Sequence, residues 1–225
     1  MKTSVLIPCI PEHFIWLNRV IYEYLSGTKS PFEIVVVLSD CEKVPLLYRE
    51  AFQYHFADMP VKYYEYKELM WTGKALSTGE KFCEGDLISI QAADDLPSKN
   101  RIEVCERFFE KYDIACLHHS FFGKGHIDYY GIENLDTSVD YDKVKIIQPC
   151  QLYGHHFTNK NEMDVFAQFA GFPVTAGAMV YKRDIVGKFT WSNKKNGQDR
   201  ITALRILKKF QKTIVIDSRI YFYFK

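Results

Sequence analysis

Gly85-Asp86-Leu87-Ile88-Ser89-Ile90-Gln91-Ala92-Ala93-Asp94-Asp95 is a short apolar run that ends abruptly in two adjacent carboxylates. Leu87, Ile88 and Ile90 predict a buried strand. A strand of an α/β sheet delivers whatever follows it to the crevice at the sheet's carboxyl edge, where ligands bind. Two acids there can hold a divalent cation. Mg²⁺ or Mn²⁺ bound by one or two carboxylates and completed by substrate phosphate oxygens is a common way to manage a diphosphate's charge. The same acids can also serve structure, because Asp95 or Ser98 has the chemistry to cap the helix expected next. The stretch by itself leaves both readings open.

On either side of it, strand and helix signals alternate. Ser4 to Ile7 predicts a buried strand, starting at about Thr3 and stopped by Pro8 and Pro11. Phe14, Leu17, Val20, Ile21, Tyr24 and Leu25 then recur at helical spacing up to Gly27. Glu33 to Leu38 is apolar enough for a central parallel strand and carries Ser39-Asp40 at its carboxyl end. Val61 to Tyr66 reads as a third strand and Lys74 to Cys83 as a short helix. Beyond Asp95, Ile102, Cys105, Phe108, Phe109 and Tyr112 form an apolar helical stripe, with Ser98 as its cap. This order predicts an open, mostly parallel sheet covered by helices. Residues 118 to 165 are less regular and suggest a strand or two joined by long, functional loops. A helix from about Gln198 to Phe210, with Ile201, Leu204, Leu207 and Phe210 on one face, precedes an aromatic strand over Ile220 to Phe224.

Composition bounds the function. With 225 residues and 47% hydrophobic content, the chain can bury the core of one domain, although length also permits two subdomains. A net charge of +1 from 29 basic and 28 acidic residues supplies no electrostatic footprint for nucleic acid. The first strand starts too early for a signal peptide, and no apolar run reaches the roughly 20 residues of a membrane span, so the expected location is cytoplasmic. Six cysteines, at 9, 41, 83, 105, 116 and 150, show neither zinc-ligand spacing nor a disulfide framework. The pairs His118-His119 and His155-His156 invite a metal reading. Neighbouring side chains on a strand point to opposite faces, however, so both members of a pair seldom bind one ion, which leaves a single member of the second pair as an extra ligand.

These residues carry a resemblance. The chain resembles GT-A-fold glycosyltransferases of the large inverting family two, which move a sugar from a nucleotide-diphosphate donor to an acceptor hydroxyl. Ser4-Val5-Leu6-Ile7-Pro8-Cys9-Ile10-Pro11-Glu12 is similar to the family's S-V-I-I-P-x-Y-N-E. Gly73-x-Ala75-Leu76-Ser77-Thr78-Gly79, then Gly85-Asp86-Leu87-Ile88, then Ala92-Ala93-Asp94-Asp95, follow the order of its G-x-A-R-N-x-G, G-D-Y-I and D-A-D-D. Gly177 to Arg183 resembles the acceptor-side strand, Gln198-Asp199 with Arg205 the E-D-x-x-L-x-x-R helix, and Ile220 to Lys225 the strand that ends the catalytic domain.

The resemblance implies an α/β GT-A fold with a mostly parallel central sheet flanked by helices. It implies a single catalytic domain over residues 1–225, nucleotide-sugar-binding to about residue 96 and acceptor-binding thereafter. The implied cofactor is Mn²⁺ or Mg²⁺ on Asp94, with Asp95 assisting, and Asp199 is the implied general base. Pro8, Cys9, Ile10, Glu12, Ser39, Asp40, Trp71, Lys74 and Arg205 are expected to join Asp94 around the nucleotide sugar, and Ala176, Gly177 and Ala178 to meet the acceptor. The donor would be a UDP-sugar and the acceptor a glycan or glycoconjugate; the chain could also be one module of a larger glycosyltransferase. Three positions depart from the pattern: Ala92 replaces the first acid of the D-x-D, Leu76-Ser77 the Arg-Asn pair, and Gln198 the Glu before Asp199.

Plain structural roles remain open for the same residues. Asp199 could serve only as a negative charge at a helix start, Arg205 as a salt-bridge partner, Asp40 as a turn residue, Lys74 as a solvated charge and Trp71 as packing. Two other functions are weighed. A sugar nucleotidyltransferase would need a glycine-rich basic loop after the first strand, where Pro8 to Glu12 has neither glycine nor a base. A catalytically silent nucleotide-sugar or carbohydrate-binding domain would fit Ala92 and Gln198.

Overall fold

Two runs that are apolar on both faces set the sheet. A computed structural model describes residues 1–119, 138–147, 176–194, 198–210, 212–217 and 220–222. Strand β1 (Thr3–Cys9) lies parallel to β2 (Glu33–Leu38), in register from Ser4 opposite Glu33 to Cys9 opposite Leu38. Strand alternation sends Val5, Ile7, Ile34, Val36 and Leu38 into one core layer, and Leu6, Val35 and Val37 into the layer behind. Parallel strands β3 (Val61–Glu65) and β4 (Leu87–Ile90) flank this pair.

The first layer is covered by α1 (Leu17–Leu25), which buries Leu17, Val20, Ile21 and Tyr24, and by Phe52 of α2 (Leu46–His55). The second is covered by Ala75 and Leu76 of α3 (Thr72–Gly79) and by Ala203 and Ile206 of α5 (Gln198–Lys209). A third cluster packs Val104, Cys105, Phe108 and Phe109 of α4 (Arg101–Lys111) against Leu87, Leu117, Val180 and Ile216.

The remaining strands of the sheet are β6 (Cys116–His119), β7 (Lys145–Ile147), β8 (Met179–Lys182) and β9 (Thr213–Asp217), in the order β3-β2-β1-β4-β8-β6-β9-β7. Strand β8 runs against both β4 and β6, and β7 against β9; the other pairings are parallel, so the sheet is mostly parallel as expected. The reversal of β8 matters for the site. Its pairing of Ser89 with Val180 and Leu87 with Lys182 brings the turn before β8 to the carboxyl end of β4, where the two acids emerge. A second, two-stranded sheet pairs β5 (Leu96–Pro97) with β10 (Tyr221–Phe222).

Several local expectations are corrected. A 3₁₀ turn over Pro11–Trp16 precedes α1, and α3 starts at Thr72 and passes at Glu80 into another 3₁₀ turn. The expected Ser98 cap does not form: Asn100 occupies the cap position of α4 without a capping side-chain bond, and its amide instead brackets Val139 at 2.7 and 3.0 Å. Helix α2 and strand β9 are additions. The described part of the last strand is Tyr221–Phe222, and its continuation lies outside the described residues. Cys9, Cys41, Cys83, Cys105 and Cys116 are buried free thiols, as expected of small hydrophobes. Among the described residues no helix is long and apolar enough to cross a membrane.

The outer end of β2 holds a buried charge. Glu33 accepts from the Ser4 hydroxyl at 2.6 Å and the Glu84 amide at 2.5 Å, and pairs with Lys62 at 2.7 Å. Burial works against its ionised form, but the Glu84 amide, Lys62 and Ser4 outweigh it and hold the carboxyl below the usual 4.5. A lowered carboxyl stabilises the fold above its unfolded value and loses that contribution as pH falls through the folded one. Glu33→Gln should therefore cost about 1–3 kcal/mol at pH 7, with a smaller difference from wild type near pH 3, read from urea midpoints at both pH values.

Candidate functional site at the carboxyl edge

Beneath the site lies a buried guanidinium. Arg101, the first residue of α4, is 1% exposed and reaches across the carboxyl end of β4. It donates to the Tyr24 hydroxyl at 2.8 Å, Gln91 Oε1 at 2.7 Å, the Ile90 carbonyl at 2.9 Å and the Gly177 carbonyl at 2.5 Å. Its carbon also lies 5.0 Å from the centre of the Tyr221 ring. Gln91 turns its amide outward to the carbonyls of Ala92 and Asp95 at 2.9 and 2.8 Å, which shapes the loop that carries the acids. Gly177 is needed for clearance, because a Cβ there would overlap the Tyr221 hydroxyl.

The two carboxylates divide. Asp95 is 1% exposed and accepts from the Tyr221 hydroxyl at 2.5 Å, while the same oxygen of Tyr221 accepts from the Ala92 amide at 3.3 Å. Burial, with Asp95 beside it, raises the Tyr221 hydroxyl well above its ordinary value and keeps it a donor. Asp94 is half-buried and opens onto a cleft of about 200 Å³ above β1 and β4. His13, from the 3₁₀ turn after β1, places Nδ1 3.4 Å from Asp94 Oδ1 on the facing lip. Neither Asp caps α4.

The opposite wall comes from α3, the 191–192 segment and α5. The Thr202 hydroxyl donates to the Gln198 carbonyl at 2.7 Å and accepts from the Ser192 amide at 3.0 Å, which fixes the first turn of α5. The bare Cα of Gly73 lets α3 close on Ser192, whose carbonyl a Cβ would overlap. Trp191 in turn donates to buried Glu80 at 2.8 Å, as does the Tyr181 hydroxyl at 2.5 Å. Gln198 and Asp199 thereby reach the cleft that Asp94 enters from the other side.

The cleft brings together Pro8, Cys9, Ile10, Asp94, Asp95, Ala176, Gly177 and Asp199 of the residues expected from sequence. Burial first, then the charges of Asp94 and Glu12, pushes the Cys9 thiol up, so Cys9 is a neutral wall whose sulfur donates to the Ile10 carbonyl at 3.3 Å. Outside the lining, Ser39 is buried with its hydroxyl 3.4 Å from the Cys9 carbonyl, and Asp40 adopts a left-handed backbone and pairs with Lys43 at 2.6 Å. Lys74 pairs with Glu68 at 2.8 Å, Trp71 is 44% exposed at the start of α3, and Glu12 is exposed. Arg205 donates to the carbonyl and hydroxyl of Thr190 at 3.1 and 3.3 Å, and Ala178 is buried behind the lining.

His13, Arg101, Gln91 and Tyr221 were not singled out from sequence. Arg101 was detectable: it stands four residues before Cys105 and seven before Phe108, a cation on the apolar stripe of α4. His118 and His119 point to opposite faces of β6, as alternation requires. Burial lowers His118 to about 4, leaving a neutral ring 3.5 Å from Cys116 Sγ. His155 and His156 lie outside the described residues.

A mostly parallel sheet whose carboxyl edge carries an acid-lined cleft, flanked by a reversed strand, defines a GT-A-type α/β fold. Residues 4–190 match the family model described as glycosyl transferase family 2, and the chain belongs to that family. No curated protein is matched by its sequence. Its fold is similar to that of S. aureus TarS 1-349 in complex with UDP-GlcNAc, with a TM-score of 0.69 and 14% identity over 100% of this chain and 59% of that one. It is also similar to the mannosyltransferase PcManGT from Pyrobaculum calidifontis in complex with GDP-Man and Mn²⁺, with a TM-score of 0.60 and 14% identity over 99% of this chain and 56% of that one. The chain thus spans less than two thirds of the length of either structure.

Removing only the Tyr221 hydroxyl should leave the buried Asp95 carboxylate without that donor. Tyr221→Phe is expected to lower stability by about 1–3 kcal/mol, measured as a shift of the urea midpoint at unchanged slope.

Proposed function

We propose that the chain transfers a glycosyl group from a nucleotide-diphosphate sugar, a UDP-sugar, to a hydroxyl of a glycan or glycoconjugate, with inversion at the anomeric carbon. The observation that carries this is the convergence of Asp94 and Asp199 on one cleft from separate elements of a family 2 glycosyltransferase. The acceptor oxygen attacks the anomeric carbon, the bond from that carbon to the phosphate oxygen breaks, and its electron pair leaves with the nucleoside diphosphate. Asp199 takes the acceptor proton as attack proceeds, which is general-base work at a poor nucleophile. One in-line displacement inverts the centre without a covalent intermediate on the protein.

A divalent cation suits the Asp94 side of the cleft. Its carboxylate offers a hard oxygen ligand, and among the described residues no group of three His, Cys, Asp or Glu side chains forms a closed cage, which suits an ion completed by phosphate oxygens and water. When bound, Mn²⁺ or Mg²⁺ supplies positive charge against the negative charge that develops on the departing diphosphate. Pro8, Cys9, Ile10 and Ala176 line the pocket beside it. The PcManGT structure with GDP-Man and Mn²⁺ and the TarS structure with UDP-GlcNAc support a nucleotide-sugar donor.

Thermal shifts with UDP-, GDP- and dTDP-sugars, each with and without Mn²⁺, are expected to show metal-dependent stabilisation by a UDP-sugar. Asp94→Asn should abolish the metal-dependent part, and an undiminished Mn²⁺ effect in that variant would remove Asp94 from the role. Asp199→Asn should keep donor affinity while lowering transfer roughly 10²-fold or more. Donor binding with no nucleoside diphosphate released across a panel of acceptor sugars would instead indicate a silent binding domain, the reading that Ala92 and Gln198 suggest.

A further inference from the structure

We propose that His13 is a second protein ligand of the cation held at Asp94, and that it biases the site toward Mn²⁺ and Co²⁺ over Mg²⁺. This rests on the metal-dependent reading above and adds a ligand that the D-x-D pattern does not contain. The first acid of that pattern is Ala92, which offers a cation only a methyl group. Asp95 is turned inward to Tyr221. The turn after β1 offers a second protein donor from another element on the same cleft.

His13 sits in the 3₁₀ turn Pro11–Trp16, with its amide bonded to the Ile10 carbonyl at 3.0 Å, and it lines the same cleft as Asp94. Nδ1 and Asp94 Oδ1 stand 3.4 Å apart. Two ligands at about 2.1 Å from one ion and at right angles to each other are about 3 Å apart, so the pair needs only a slight closure to share it. Both side chains are partly exposed, at 33% and 19%, and an ion pair in that setting adds little stability by itself. Carboxylate and phosphate oxygens suit Mg²⁺ and Mn²⁺ alike, whereas an imidazole nitrogen favours metals later in the first transition row.

Mn²⁺ with UDP is the probe. Pulsed electron paramagnetic resonance of Mn²⁺ on the wild-type protein should show coupling to an imidazole nitrogen, and His13→Ala should lose it. His13→Ala should weaken Mn²⁺ binding roughly 10-fold or more and Mg²⁺ binding by less, with little change in the melting temperature of the metal-free protein. His13→Asn keeps a hydrogen-bonding partner for Asp94 but offers an oxygen in place of the imidazole nitrogen, so a ligand role predicts loss of the nitrogen coupling and of the preference for Mn²⁺ over Mg²⁺, and a merely structural role predicts an unchanged preference. His13→Asp should restore Mg²⁺ binding by presenting two carboxylates. Absence of nitrogen coupling in the wild type, or an unchanged Mn²⁺-over-Mg²⁺ preference in His13→Asn, overturns the inference while Asp94→Asn still abolishes binding. If Asp94→Asn also binds Mn²⁺ normally, the metal reading itself fails.

Discussion

The buried guanidinium of Arg101 is the constraint on which the cleft depends. Removing such a group from water is costly unless its N–H groups find acceptors, and four fixed acceptors take the two terminal nitrogens here, while Nε has no hydrogen-bond partner among the described residues. The acceptors belong to α1, to the end of β4 and the residue after it, and to the turn before β8, while Tyr221 of β10 lies across the face of the cation. Four separate pieces of chain therefore meet at the side chain of a fifth, α4. Loops at a sheet edge serve chemistry only when a rigid scaffold positions them, and this cluster is that scaffold.

From it follows the division of labour between two neighbouring carboxylates. Asp95 is committed to Tyr221, so the 92–95 loop is tied from below and Asp94 is presented upward. The other wall repeats the logic with different parts. Trp191 and Tyr181 converge on Glu80, whose carboxyl is raised by burial, and the Ser192–Thr202 bond holds the first turn of α5 against α3. Glycines at 73 and 177 stand where backbone and ring approach too closely for a side chain. Each acid at the cleft is thus placed by polar contacts made one layer below it.

Legibility followed burial. β1, β2 and β4 were readable because strands covered on both faces are near-continuous apolar runs. Helix α2 was not, because it buries little beyond Phe52 while Leu47 and Tyr54 stand 71% and 87% exposed, and the apolar stripe is lost. β9 escaped because a five-residue run between α5 and β10 is too short to show a decisive period. In the site, the strand-end positions Pro8 to Ile10, Asp94 and Asp199 were readable from motif order. Lys74 and Asp40 meet Glu68 and Lys43, partners close in sequence, whereas the contact of Arg205 with Thr190 joins residues 15 apart that only folding brings together.

The sequence by itself determined the α/β layering, the family pattern and the emergence of two acids at the end of a central strand. These are properties of local period and residue order. Tertiary structure decided which acid faces the cleft, and it brought His13, Arg101 and Tyr221 to it from positions 81, 7 and 127 residues away from Asp94 along the chain. The physical reason is that a carboxylate's role depends on its neighbours. Asp94 and Asp95 are chemically identical, and only the Tyr221 hydroxyl beneath one and the open cleft beside the other make them different.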